Sequence, residues 1–129
     1  MLKLFKKNSK QSKRYTPIVP SGLIAETEIG FFYIKGKKRF KFVSDRAMVS
    51  WNLPVVKTTE SMISEYAVSG VLGFRDGSLI KDVSDSKIYL ISDSKKRHII
   101  DPDVLKWIEA KVVDVGQKEV LVHADGEKL

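Results

Sequence analysis

The sequence reads as one unit written twice. Sliding it by 56 residues puts Leu23-Ile24 on Leu79-Ile80, Tyr33 on Tyr89, Asp45 on Asp101 and Trp51 on Trp107. Val43 then falls on Ile99, Val49 on Leu105 and Val56 on Val112. A two-residue length difference in the intervening hairpin lays Lys37-Lys38-Arg39 on Lys95-Lys96-Arg97. Identity between the copies is low, but the matches are scarce residue types in a fixed order. Self-similarity at a fixed period is the mark of repeated supersecondary units that stack to share a core. In 129 residues there is room for one compact domain or two very small units packed together.

Each copy predicts the same elements. A short extended segment comes first, at Gly22-Leu23-Ile24 and again at Ser78-Leu79-Ile80-Lys81. A hairpin follows. In the first copy Phe40 and Phe42 alternate with Arg39 and Lys41, the period of a half-buried strand, and Gly36 can adopt the positive φ of a tight turn. In the second copy Lys87–Ile91 and Lys95–Ile100 are joined through Ser92-Asp93-Ser94, which predicts a longer turn. A short helix should come next. Asp101 is a good N-cap and Pro102 a good first residue, and Ser44-Asp45 plays that part before a segment that ends ahead of Pro54. Val55-Val56-Lys57 and Lys111-Val112-Val113 read as closing strands, and Ser61–Tyr66 as another short helix. The pattern Val71–Gly77 recurs at Val120–Gly126, as if a third unit were beginning. The expected fold is therefore α+β and mainly β: a basic arm over 1–21, repeat unit 1 over 22–69 and repeat unit 2 over 70–129.

Charge is unevenly placed. Of 23 basic and 16 acidic residues, six bases and no acid lie within residues 1–14, leaving 17 against 16 in the other 115. The net charge of +7 belongs to the arm on this count. No apolar run reaches about 18 residues, so no membrane span is expected. The opening residues lack the apolar middle and cleavage site of a secretory signal. Without cysteine there are no disulfides and no thiolate metal ligands.

Residues 76–81 (DGSLIK), 87–91 (KIYLI) and 95–99 (KKRHI) resemble a repeat of bacterial surface and secreted proteins and of tailed-phage virion proteins. That repeat runs DG-x-LI, YLI, an N-G turn, KRHI, a proline-capped helix and V-x-x-V. The first copy, FFYIKGKKRFKFVSDRAMVSW, is similar to versions in virion accessory proteins of myovirus-like phages. Asp93-Ser94 in place of N-G is a departure. The resemblance implies attachment or assembly without catalysis. The location would be a virion, with synthesis in the host cytoplasm, and the partners would be other virion proteins present in many copies.

Candidate chemistry is sparse. His98 and His123 are the only histidines, and no nucleophile elbow, phosphate loop or zinc spacing surrounds either. His98 aligns with Phe42, which makes it a structural strand residue, and His123 reads as incidental. Asp82, Asp85, Asp93, Asp101 and Asp103 are explained by turns and caps, with no twelve-residue calcium loop. Trp51 and Trp107 read as core anchors of their units, in preference to stacking platforms. No catalytic residue, metal, cofactor or small-molecule substrate is expected. The expected partner contacts are Leu2, Leu4, Phe5, Lys6 and Lys7 in the arm. On the hairpins they are Lys37, Lys38, Arg39, Lys95, Lys96 and Arg97, facing an acidic partner. Two other classes fit the same residues. One is a nucleic-acid-binding protein that uses the arm and both basic hairpins. The other is a cell-surface or cell-wall-binding module.

Overall fold

A computed structural model describes residues 19–129, so Leu2, Leu4, Phe5, Lys6 and Lys7 lie outside the described residues. The architecture is mainly β, with two sheets and few short helices. The first sheet is built from β1 (Ile24–Thr27), β2 (Gly30–Lys35), β3 (Lys38–Phe42), β4 (Val55–Lys57) and β5 (Ala67–Leu72), in the order β4-β1-β2-β3-β5. Helix α1 (Asp45–Ser50) lies between β3 and β4. The second sheet contains β6 (Leu79–Asp82), β7 (Ile88–Ser92), β8 (Lys95–His98) and β9 (Val112–Val115), in the order β9-β6-β7-β8. A 3₁₀ helix (Pro102–Trp107) precedes β9, and α2 (Gln117–Leu121) follows it.

The hairpins form where alternation and turn chemistry place them. β2 and β3 pair from Phe32 opposite Lys41 to Lys35 opposite Lys38, across a two-residue loop in which Gly36 has φ +62°. β7 and β8 pair from Tyr89 opposite His98 to Ser92 opposite Lys95. The second loop is therefore only Asp93-Ser94, and the expected longer turn gives way to longer strands. Tyr33 faces Phe40, as Tyr89 faces His98, so His98 occupies the place of Phe40 and not that of Phe42. Asp93 and Ser94 both take left-handed φ, +53° and +63°, a conformation that costs residues with a Cβ about 1 kcal/mol or more. The double substitution D93N/S94G, which installs the preferred turn, is expected to stabilise the fold by about 1 kcal/mol, read as a raised urea midpoint at constant slope.

The closing strands run parallel to the strands that open each sheet, β4 on β1 and β9 on β6. Ser44 caps α1 by accepting the Ala47 N–H, and Asp101 caps the second helix through the Asp103 N–H with Pro102 in its first turn. The second helix is nonetheless wound as 3₁₀. Residues 61–66 do not form the expected helix. They make separate turns closed by i→i−3 bonds, Met62 to Thr59, Ile63 to Glu60 and Tyr66 to Ile63. Ile63 and Tyr66 are buried, three residues apart. β5 follows, parallel to β3, with an irregularity where Arg39–Lys41 meets Val68–Val71. The segment resembling it in pattern behaves differently, since Val120 is helical where Val71 is in a strand. The last residues lie along β8. Lys96 N–H donates to Ala124 O, Gly126 N–H to Lys96 O and Leu129 N–H to His98 O.

Two apolar clusters result. One gathers Val19, Ala25, Phe32, Ile34, Ile63 and Tyr66 on the first sheet. The other gathers Ile80, Tyr89, Ile91, Val115 and Val120 with Phe74, and also takes Ala47 from α1. Each fully buried Ile or Val here is worth about 1.5–3 kcal/mol relative to exposure. No helix among the described residues is long and apolar enough to cross a membrane.

Candidate functional site

The six hairpin cations expected to meet a partner divide in two. Lys37, Lys38 and Lys95 are exposed. Arg39 is buried. Its Nη1 lies 2.7 Å from Glu60 Oε1, its Nε donates to Tyr66 O at 3.1 Å, and its guanidinium stacks 4.7 Å from the Phe32 ring centroid. Glu60 also accepts the Thr27 hydroxyl at 2.6 Å. Burial pushes the Glu60 carboxyl up, but the Thr27 and Arg39 hydrogen bonds outweigh it and the net shift is downward. Arg39 therefore joins β3 to the 59–66 segment and is not a partner contact. Lys96 is bound to the C-terminal segment, donating to His123 O at 2.6 Å and pairing with Asp125 at 3.1 Å. Arg97 Nε donates to Glu127 O at 2.8 Å. The second basic triplet thus holds its own tail, and Lys95 alone is left at the surface.

The two tryptophans part company as well. Trp51 is half-buried against Tyr33 and Phe42, with ring centroids 5.3 and 6.5 Å away, and its Nε1–H donates to Gly73 O at 3.0 Å. It lies beside the segment that leads from the first sheet to the second, half-buried and outside both apolar clusters. Trp107 is 82% exposed, so the expectation that it is a core anchor is corrected. Two causes are visible. Trp51 stands seven residues after its cap, Ser44, whereas Trp107 stands six after Asp101 on a helix of about 3.0 residues per turn in place of 3.6, which turns its side chain away. Also, where Phe42 follows Phe40 by two residues and packs on Trp51, Ile100 follows His98 by two and is itself exposed.

His123, expected to be incidental, is buried with both ring nitrogens bonded. Nε2 lies 2.9 Å from Phe74 N and Nδ1 2.7 Å from Ser94 O. An amide can only donate and a carbonyl can only accept, so the ring is neutral with its proton on Nδ1. Burial pushes its pKa down, Lys96 adds to that, and the Ser94 carbonyl and Asp76 oppose it. Gly73 sits under the ring. A Cβ there would run into the imidazole, which is why this position has none. The second internal joint is Glu119 of α2. Its carboxylate accepts from the Ser44 hydroxyl at 2.6 Å, from Arg46 Nη2 at 2.7 Å and from Gly116 N–H at 3.0 Å.

Three of the five acids considered as cation ligands serve their own backbone, and Asp103 pairs with Lys106 at 3.1 Å. Asp82 accepts from Ser84 N–H and hydroxyl, Asp85 from Lys87 N–H and Asp101 from Asp103 N–H. No group of three metal-ligating side chains occurs among the described residues. An open cleft of about 540 Å³ lies between α1 and the second sheet. Its floor is Val49, Phe74, Leu79 and Val113, with Arg75 and Lys111 also lining it. It joins residues from both halves of the chain, and no sequence pattern marks it.

Comparison with protein families, with curated proteins and with solved structures finds no match.

Proposed function

We propose that the chain is a non-catalytic assembly protein of two tandem hairpin-and-helix repeats, docking onto other proteins of a tailed-phage particle. The observation that carries this reading is the employment of the buried polar side chains. Thr27, Arg39, Glu119 and His123 are committed to bonds that tie distant segments of this chain together, and Asp82 to the turn it makes with Ser84. A group so committed is not poised to act on a substrate.

Duplication is supported by register. Ile24 faces Tyr33 and Ile80 faces Tyr89, 56 residues on. Ile24 also faces Val55, as Ile80 faces Val113, so the closing strands correspond at an offset of 58 and not 56. The same offset relates Lys38 opposite Ala67 to Lys96 opposite Asp125. The resemblance of the DG-x-LI, YLI and KRHI segments supplies the virion setting. Docking would use exposed apolar side chains such as Trp107, Ile100 and Val49 together with Lys37, Lys38, Lys95 and the arm. Mass spectrometry of gradient-purified particles from a phage carrying this gene is expected to find the protein at a fixed copy number. Its presence in infected-cell lysate but not in particles would sink the proposal.

A further inference from the structure

One sheet edge of this molecule is unguarded. β5 pairs with β3 on one side and, among the described residues, has no strand and no backbone bond on the other. A row of unpaired N–H and C=O groups is a template for another strand, and proteins blunt such rows with short strands, charge, proline or a cover. The other edges are blunted. β4 has three residues, follows Pro54 and ends in Lys57. β9 carries Asp114, and β8 is covered by the C-terminal segment through the bonds of Lys96, Gly126 and Leu129. β5 is six residues long, Ala67-Val68-Ser69-Gly70-Val71-Leu72, with no charge and no proline.

The strand is also self-complementary. Arg39 is opposite Val68 and Lys41 opposite Val71, so two residues of β5, Ser69 and Gly70, stand against the single Phe40 of β3. This extra residue resets the alternation and puts Val68 and Val71 on one face, where they are 62% and 54% exposed. An identical strand laid antiparallel sets Val68 against Val71 and Val71 against Val68 on that face, with Ala67 against Leu72 on the other. Glu65 precedes the strand and Arg75 follows it, both exposed. Antiparallel pairing brings each of them towards its opposite charge, whereas parallel pairing sets like on like.

We infer that β5 is a dimerisation edge, binding β5 of a second copy of this chain antiparallel about a two-fold axis at Ser69-Gly70. Such a contact is isologous and closes on itself, so it stops at two copies. The basic strands beside it do not oppose it strongly. In the pair the two β3 backbones are three strand spacings apart, about 14 Å, beyond the Debye length of about 8 Å at physiological salt. The inference goes beyond the phage setting and does not depend on it.

The test is sedimentation velocity of the full chain over a concentration series, with folding checked by circular dichroism. The parent is expected to show a monomer–dimer equilibrium. The variant V68K/V71K, which sets lysine opposite lysine at exposed positions, is expected to weaken the dimer at least about tenfold. L121K makes the same change at an apolar residue that is 67% exposed in the second half, and should stay within about twofold of the parent. The chain has no cysteine, so S69C places a lone thiol beside its mate near the axis. Oxidised glutathione should link S69C into a covalent dimer on a non-reducing gel and leave L121C monomeric. If V68K/V71K unfolds, the S69C result decides. A parent that stays monomeric throughout, equal losses in V68K/V71K and L121K, or S69C that cross-links no better than L121C would each overturn the inference.

Discussion

Replacing His123 with alanine is expected to cost about 3 kcal/mol of stability at pH 8. A buried ring is removed, and the Phe74 N–H and Ser94 carbonyl it joins lose their partner. Urea unfolding gives the number. A glutamine at the same place can accept and donate as the neutral ring does, and should recover part of the loss. The wild-type protein should also be acid-sensitive at this position. The imidazole's pKa is lowered from 6.5 in the fold, chiefly by burial, so the unfolded chain binds the proton more readily. Stability from His123 is therefore fully present above about pH 6.5 and is lost as pH falls through the lower folded value. A protonated Nε2 would face the Phe74 N–H, donor against donor. The groups around the ring are Lys96 and Asp76, with Asp125 held on Lys96. A wild-type protein whose stability has the same slope as that of His123→Gln between pH 8 and 5 would refute the assignment.

Glu119→Ala is the second large effect, expected at about 2 kcal/mol. The carboxylate sits at the third position of α2 and reaches back to Gly116 N–H, while the Ser44 hydroxyl and the Arg46 guanidinium donate to it from α1. Burial pushes its pKa up, but the bonds from Arg46, Ser44 and Gly116 and the Arg46 charge more than offset this, so it stays ionised below the usual carboxylate range. Removing it strands the Ser44 hydroxyl and the Gly116 amide, which carries the cost. The Arg46 side chain is 57% exposed and returns to water, so Arg46→Ala should cost less than Glu119→Ala. Thermal unfolding of the two variants side by side checks the order, and an equal or larger loss for Arg46 would contradict it.

Much of this fold was legible from local chemistry. The hairpins, both helix caps and the closing strands follow from alternation, Gly36, Ser44, Asp101-Pro102 and the Val pairs, while the parallel direction of the closing strands comes from the structure alone. Where the reading failed, the deciding partner was distant in sequence. Arg39 looked like a surface cation because nothing nearby announces Glu60, 21 positions on. His123 looked incidental because its partners are Phe74 and Ser94. β5 carries Ser69 and Gly70 and exposes most of its side chains, so it has no buried face to impose a period. The tryptophans show the limit of arguing from a repeat. Equivalent letters were given different surroundings by a one-residue change in spacing from the cap and by Ile100 in place of a phenylalanine.

Ala47 carries a single methyl group, yet it is fully enclosed, and its neighbours are residues of the opposite half: Phe74, Ile80, Tyr89. What the first half contributes to the second is thus a piece of its interior and not merely a neighbouring wall. Cutting the chain between the two sheets would leave the second with a hole where α1 had been and the first with a helix facing water. The two sheets thus share one interior at this point, and neither half is complete without the other.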